Sequence, residues 1–534
     1  MEELLKDSLG TIAVLIYILY PIFKRWLDRR RQKKTKTEQT ASPREQASTP
    51  DASPQDAPST AAGPLPPPST ATPESPEDRL LPRLERQADG IADRAQKLLS
   101  EAKAHPRLVR LVPALERDLL ARVRAIQVSL RSRPTMDTLL RDTRTLNGLV
   151  ELLGYLERIA RQRMQRSPAA LGDADRMADA CYAPMLDFAK AQGLDLQTST
   201  PIVVTGDWQL SIIPRFASTR IAPLRVPRGF SQSIWLWPAL AHEVAHDLYY
   251  SVDGLEDDLH RRLDLPHDVA TPTDEQDVNR SLLRGLFGAW LSEVFADTIG
   301  TLTLGPAYVE TMRHAFRDPD AAHQTGAIFQ SQGFIDEHPP ARLRVYMAAR
   351  VLRKLGRHDE ADSIWSRWQA DHEGVDLYFL PLGGRWVGLN EDTLHATADT
   401  VVDALLDEPW PELNEFALTK IPGFAYLHAE HAETRRVMAA LQKGDARGEE
   451  VRWIMAAAVL LVAQDPNRHE DILAVAQQAI VGVGAETLPV SVLPKRAARS
   501  IAGSLKGSLR NPSAITEAIV LGAAIRPYRR PKWR

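Results

Sequence analysis

Between Gly285 and Met312 only Glu293, Asp297 and Glu310 carry a charge, and the stretch around the first two, Trp290 to Ile299 (WLSEVFADTI), is otherwise mostly apolar. A helix with so little polar surface is buried. A carboxylate on it is costly unless a cation, a metal ion or hydrogen-bond donors meet it. Glu293 and Asp297 are four apart, so a helix presents both from one face. Whatever this chain folds into must bring positive charge or donors to that face.

Ala239 to Tyr249 (ALAHEVAHDLY) supplies a match. His242 and His246 are also four apart, so on a helix both imidazoles leave one face and can share a metal ion. Glu243 stands beside them, where a base can take a proton from activated water. Leu240, Val244, Ala245 and Leu248 bury the rest of the helix. Cys181 is the one cysteine, which excludes an internal disulfide and any cysteine-built zinc cluster. If a metal is bound, its ligands must be His and carboxylate, and the expected set is His242, His246 and Glu293 around one zinc ion (Zn2+) per chain. Asp297 is then placed to accept the second N–H of a ligating histidine and set its tautomer.

HExxH followed by E-x-x-x-D on a second helix resembles the gluzincin metallopeptidases. A third piece sharpens the likeness: His338-Pro339 followed after four residues by Arg344 and the aliphatic Val345. The CAAX prenyl protease type of membrane metallopeptidase carries HExxH, then E-x-E-A-D, then H-P-x-x-x-x-R, and Ala296-Asp297 match its A-D. Phe295 departs from it, standing where a second Glu is usual, and Asp247 is charged where the HExxH helix normally is not. The likeness spans Trp235 to about Arg350. It implies a zincin-like core with Glu243 as general base. It also implies that His338 and Arg344 contact the substrate carbonyl or the oxyanion that develops from it, with Arg342 as the alternative cation. An edge strand beside the active helix, either Thr200–Thr205 (TPIVVT) or Arg220–Val226 (RIAPLRV), is expected to pair with an extended substrate. In the acidic connector Asp253–Asp277, His260 and His267 read as loop residues rather than ligands, because the primary set is already complete.

The rest of the chain frames this segment. Ser8 to Phe23 is an uncharged run of 16 residues, followed by eight basic residues between Lys24 and Lys36. At 1.5 Å per residue the run covers roughly 24 Å, short of a ~30 Å hydrocarbon core unless Trp26 and Leu27 extend it. With the basic flank inside, the expectation is a single-pass anchor in membrane lipid, N-terminus outside and catalytic domain cytoplasmic; an interfacial helix is the alternative. From Ala41 to Pro76, 27 of 36 residues are Pro, Ser, Thr or Ala, a composition that buries too little to offset ordering entropy. Apolar residues recur at spacings of three and four from Leu80 to Ile159. A strand-like piece appears at Asp376–Pro381 (DLYFLP), and Trp453–Ala463 is too short to span a bilayer and reads as a buried helix.

The fold class expected is therefore mainly α with a small β-sheet (α+β). The order is an anchor with basic flank at 1–31, a linker at 32–78, a helical domain at 79–165, a zincin-like domain at 166–355 and a mainly helical region at 356–534. Sixty-six basic residues against 69 acidic ones give a net charge of −3 and no global field for nucleic acid. The function expected is a membrane-tethered zinc endopeptidase acting on peptide or protein substrates near the membrane. The alternatives are a non-catalytic scaffold with a relic metal site, and a narrow regulatory protease that cleaves one partner.

Overall fold

The computed structural model describes residues 76–482, apart from 133, 166–167, 197–200, 207–209, 214–220, 268–279, 318–325, 329, 332–333, 374–377 and 383–384. All of them fall in the compact unit Glu74–Arg534. The expected anchor and most of the expected linker lie outside the described residues. Among the described residues no helix is long and apolar enough to cross a membrane. The expectation of a single-pass membrane protein is corrected accordingly, and the physical reason is length: the Ser8–Phe23 run that prompted it was already shorter than a hydrocarbon core.

The architecture is mainly helical with small sheets. Helix α1 (Pro76–Ala104) opens with Glu77 and Asp78 and ends with Lys103, charges that complement the helix dipole at both ends. A 3-10 turn at Pro106–Leu111 and a π-helical stretch at Ala114–Leu120 lead to α2 (Ala121–Arg131). Next comes α3 (Met136–Met164), where the Thr135 hydroxyl accepts the Thr138 N–H at 3.4 Å. Leu84, Ile91, Leu98, Leu119, Val123, Leu146 and Leu153, spaced at helical intervals, close one core.

A second, larger core begins with α4 (Pro168–Gln192) and a three-stranded sheet. Strand β1 (Ile202–Thr205) runs parallel to β3 (Pro223–Val226), and β2 (Ser211–Ile212) pairs antiparallel with β3, giving the order β1-β3-β2. Strand alternation divides the two cores: Ile202 and Val204 face the first, Val203 the second. The buried Arg163–Asp175 ion pair locks this junction. Arg163 Nη1 also donates to Val203 O at 2.7 Å, and Val203 N–H donates to Asp175 Oδ1 at 3.0 Å. A buried pair without such extra hydrogen bonds would not repay its desolvation.

Helix α5 (Ala239–Ser251) packs along α7 (Arg280–Leu304), with the short α6 (Leu255–Arg262) between them in sequence. Helix α8 (Pro306–Ala315) turns back on α7, and a hairpin of β4 (Gln330–Ser331) and β5 (Phe334–Ile335) precedes α9 (Ala341–Lys354). Gly300 lets α8 come this close, since a Cβ there would lie 2.6 Å from the Tyr308 ring. The rest is α10 (His358–Asp371), the hairpin β6 (Tyr378–Leu382) and β7 (Arg385–Leu389), α11 (Glu391–Asp407), α12 (His428–Gln442), α13 (Val451–Gln464) and α14 (His469–Gly482). Helix α13 contains the Trp453–Ala463 run and is buried along nearly its whole length, as its composition requires.

Two strand readings are revised. RIAPLRV provides β3, the central strand, so it offers no free edge. The edge strand that packs against α5 is β2, whose two residues carry no periodicity to find. His260, expected in a loop, sits on α6.

Candidate metal centre

Three elements converge on one point. Helix α5 supplies His242 and His246, one turn apart, and their Nε2 atoms face each other at 3.0 Å. Helix α7 supplies Glu293, with Oε1 3.2 Å from His246 Nε2 and Oε2 3.4 Å from His242 Nε2. One ligand atom from each of the three residues falls within 4.8 Å of the others. Glu293 is 5% exposed, whereas the histidine side chains are 12% and 15% exposed, so the centre opens to solvent on the imidazole side.

Asp297, one turn beyond Glu293, is the hub behind it. Its Oδ1 lies 2.9 Å from His242 Nδ1 and accepts the Tyr308 hydroxyl at 2.7 Å and Arg344 Nη2 at 2.8 Å; its Oδ2 accepts Arg344 Nε at 2.7 Å. With its proton on Nδ1 toward Asp297, His242 presents a lone pair on Nε2 toward His246 and Glu293, the arrangement a ligating histidine needs. Arg344 Nη2 is also 3.3 Å from Glu293 Oε2, and its guanidinium lies over the Phe316 ring at 5.1 Å.

Electrostatics follow from this packing. Burial opposes ionisation of both carboxyls, yet His246, His242 and Arg344 hold Glu293 well below the usual range, and Arg344 with His242 brings Asp297 to about 2. Burial likewise opposes a charge on His242, but Glu293 and Asp297 outweigh it and push the imidazole up to about 10. Tyr308 is driven upward by burial and by Asp297, so it stays a hydroxyl donor. Two buried carboxylates thus face one permanent cation, Arg344. The remaining negative charge must be met on the imidazole side, by a proton or by a metal ion. Glu293 Oε2, buried and without a hydrogen bond, lies between Arg344 and His242, 3.3 and 3.4 Å from them. The donor set of two imidazole nitrogens and a carboxylate oxygen fits zinc.

The other expected residues separate. Glu243, on the same helix, is partly exposed, and among the described residues no hydrogen bond or ion pair holds its carboxylate. His338 sits just before α9; Asp336 Oδ1 takes its backbone N–H at 3.0 Å and lies 2.8 Å from its Nδ1, leaving Nε2 3.6 Å from Glu293 Oε1. Burial resists its charge, but Asp336 and Glu293 raise its pKa above the ordinary histidine value. Arg342 points elsewhere: it donates to Glu391 at 2.8 Å and lies over Trp365 and Tyr378. Arg344 is the arginine of the centre, spent on Asp297 and Glu293. The unusual Asp247 is buried on the opposite side of α5, accepting the Tyr182 hydroxyl at 2.5 Å and the Ser251 hydroxyl at 3.3 Å. Phe295 is buried against Tyr249.

Tyr308 and Asp336 were not anticipated. Tyr308 lies in the same charge-poor stretch as Glu293, and the only signal was a phenol tip in an apolar segment just after Gly305-Pro306. For Asp336 the signal was a carboxylate two residues before His338, the spacing at which Asp captures a nearby backbone N–H.

Comparison with known proteins finds no matching family model, no matching curated protein and no matching solved structure.

Proposed function

We propose that this chain is a zinc-dependent endopeptidase of zincin type that hydrolyses peptide bonds in a peptide or protein substrate. The observation that carries the reading is the buried Glu293 carboxylate set against the two converging Nε2 atoms, Oε1 3.2 Å from His246 and Oε2, which makes no hydrogen bond, 3.4 Å from His242, with Asp297 behind His242. His242, His246 and Glu293 would hold one Zn2+. Bound there, the ion supplies Lewis acidity toward a carbonyl and brings the pKa of water toward neutrality.

The chain's own residues divide the remaining work. Glu243 is solvent-accessible and one residue from His242, so it takes a proton from the attacking water and delivers it to the leaving amine. His338, whose Nδ1–H is held by Asp336, carries a second proton on Nε2 in its charged form, which its raised pKa favours, and there it donates to the carbonyl oxygen as charge develops on it. Arg344 balances Asp297 and Glu293 and so positions the centre without reaching substrate. Strand β2, the sheet edge beside α5, offers its backbone to an extended substrate.

The test is zinc content and casein turnover of the full chain beside three variants. Wild type is expected to turn over casein. Glu243→Gln is expected to keep the zinc of this centre and lose hydrolysis, and His246→Ala and Glu293→Ala to lose both. Hydrolysis retained by Glu243→Gln sinks the assignment of the base. Zinc held with no turnover by wild type favours a scaffold or a protease restricted to one partner.

A further inference from the structure

The connector between the two ligand helices carries a second cluster of the same chemical type. Glu256 and His260 are four apart on α6, hence on one face, and His267 returns over them from the turn that follows. One ligand atom from each of Glu256, His260 and His267 lies within 4.8 Å of the others. His260 is buried, and its Nδ1 lies 3.1 Å from the Leu265 carbonyl oxygen. A carbonyl only accepts, so the proton sits on Nδ1 and the lone pair on Nε2, the tautomer a metal ligand needs. The His267 ring stacks on His260 at 3.8 Å between centroids, and its Nε2 is 3.7 Å from Asp257 Oδ1.

The turn is held firmly. Asp264 adopts φ +54, and the Leu265 N–H returns to His260 O at 2.8 Å. Arg284 on α7 donates through Nε to Asp264 O at 2.7 Å and forms an ion pair with the Asp264 carboxylate. Pro266 O rests against Gly288 of α7, where a Cβ would lie 2.1 Å away. The turn is therefore seated on the helix that carries Glu293 and Asp297, and His267 projects from it toward α6.

We infer that Glu256, His260 and His267 form a second metal site, for a divalent transition ion of the zinc class, distinct from the centre at Glu293. Zinc–nitrogen bonds of about 2.1 Å at a tetrahedral angle require ligand atoms roughly 3.4 Å apart. The ligand atoms lie within 4.8 Å of one another, and drawing them to that spacing takes a side-chain rotation of His267, which is 41% exposed. The ion clips the end of α6 to the turn seated on α7. Its role is structural, and it does not depend on the peptidase reading.

The experiment counts zinc per full-length chain after equilibration with zinc chloride and removal of loose ion by gel filtration. The expected values are two for wild type, one for His267→Ala and for Glu256→Gln, and one for the His246→Ala/Glu293→Ala double variant. His267 is exposed, so its alanine variant tests the site without emptying a core. Cobalt in place of zinc gives a second reading. The double variant should retain a ligand-field absorption that adding His267→Ala removes. One zinc in wild type and the same one in His267→Ala overturns the inference and leaves a stacked histidine pair. One zinc lost in His267→Ala but kept in the His246→Ala/Glu293→Ala double variant supports this site while refuting the Glu293 centre.

Discussion

Replacing Arg344 by Met tests the charge ledger behind the metal centre. The guanidinium makes two hydrogen bonds to Asp297, at 2.7 and 2.8 Å, and stands 3.3 Å from Glu293. Arg344 is 9% exposed and the two acids 5% and 1%, so water cannot take over its role. Methionine preserves most of the packing while leaving two buried carboxylates without their permanent cation. Breaking a buried pair from one side costs about 3–5 kcal/mol. With a urea slope of about 3 kcal/mol/M, the metal-free variant should unfold at a midpoint about 1–1.7 M lower than wild type. Repeating the change in an Asp297→Asn background isolates the pair. There the cost of losing Arg344 should fall by about 1–3 kcal/mol, because half of the uncompensated charge has gone. Equal costs in both backgrounds, or a shift in midpoint of less than about 0.3 M, would refute the claim that Arg344 serves as the counter-ion of this centre.

Three further outcomes follow from the same geometry. Tyr308→Phe removes one hydrogen bond to the charged Asp297 and should cost about 1.5–3 kcal/mol in chemical denaturation while leaving the zinc count unchanged; a neutral result means that the hydroxyl contributes nothing to the hub. In the metal-free protein His242 is pushed up to about 10, above its unfolded value of 6.5. Its charge therefore stabilises the metal-free fold fully below 6.5, and that contribution is lost as pH rises through about 10. Under the proposed reading zinc would have to displace this proton near neutrality, so calorimetry in buffers of different ionisation enthalpy should find about one proton released per ion at this centre, and none released would contradict it. Gly300→Ala places a Cβ 2.6 Å from the buried Tyr308 ring and should destabilise by about 1–3 kcal/mol, measured by urea unfolding; wild-type stability would mean that α7 and α8 are not so closely packed.

Much of the local structure could be read from periodicity. Leu84, Ile91 and Leu98, or Leu146 and Leu153, recur at helical spacing because each helix buries one stripe, and the structure buries those residues. DLYFLP likewise yields a strand, β6, which pairs antiparallel with β7. The two-residue β2 escaped because so short a strand leaves no alternation to count. His260 was misplaced because an eight-residue helix rich in acids has the composition of a loop.

At the centre, sequence alone determined which residue types share a helical face. His242 with His246 and Glu293 with Asp297 are each four apart, and helix geometry leaves little choice. The apolar surroundings of the two acids required that something positive meet them. What that partner is was decided by tertiary structure. Arg344 rather than Arg342 reaches Asp297, because the two lie on different faces of α9 and only one face packs on α7. Tyr308 joins the hub only because Gly300 allows α8 against α7. The Glu256–His260–His267 cluster exists only because the turn at Asp264 folds His267 back over α6. Spacing along one helix is a local property that the chain carries in its order of residues. Convergence of separate elements depends on how close their backbones come, and that is settled only when the cores close.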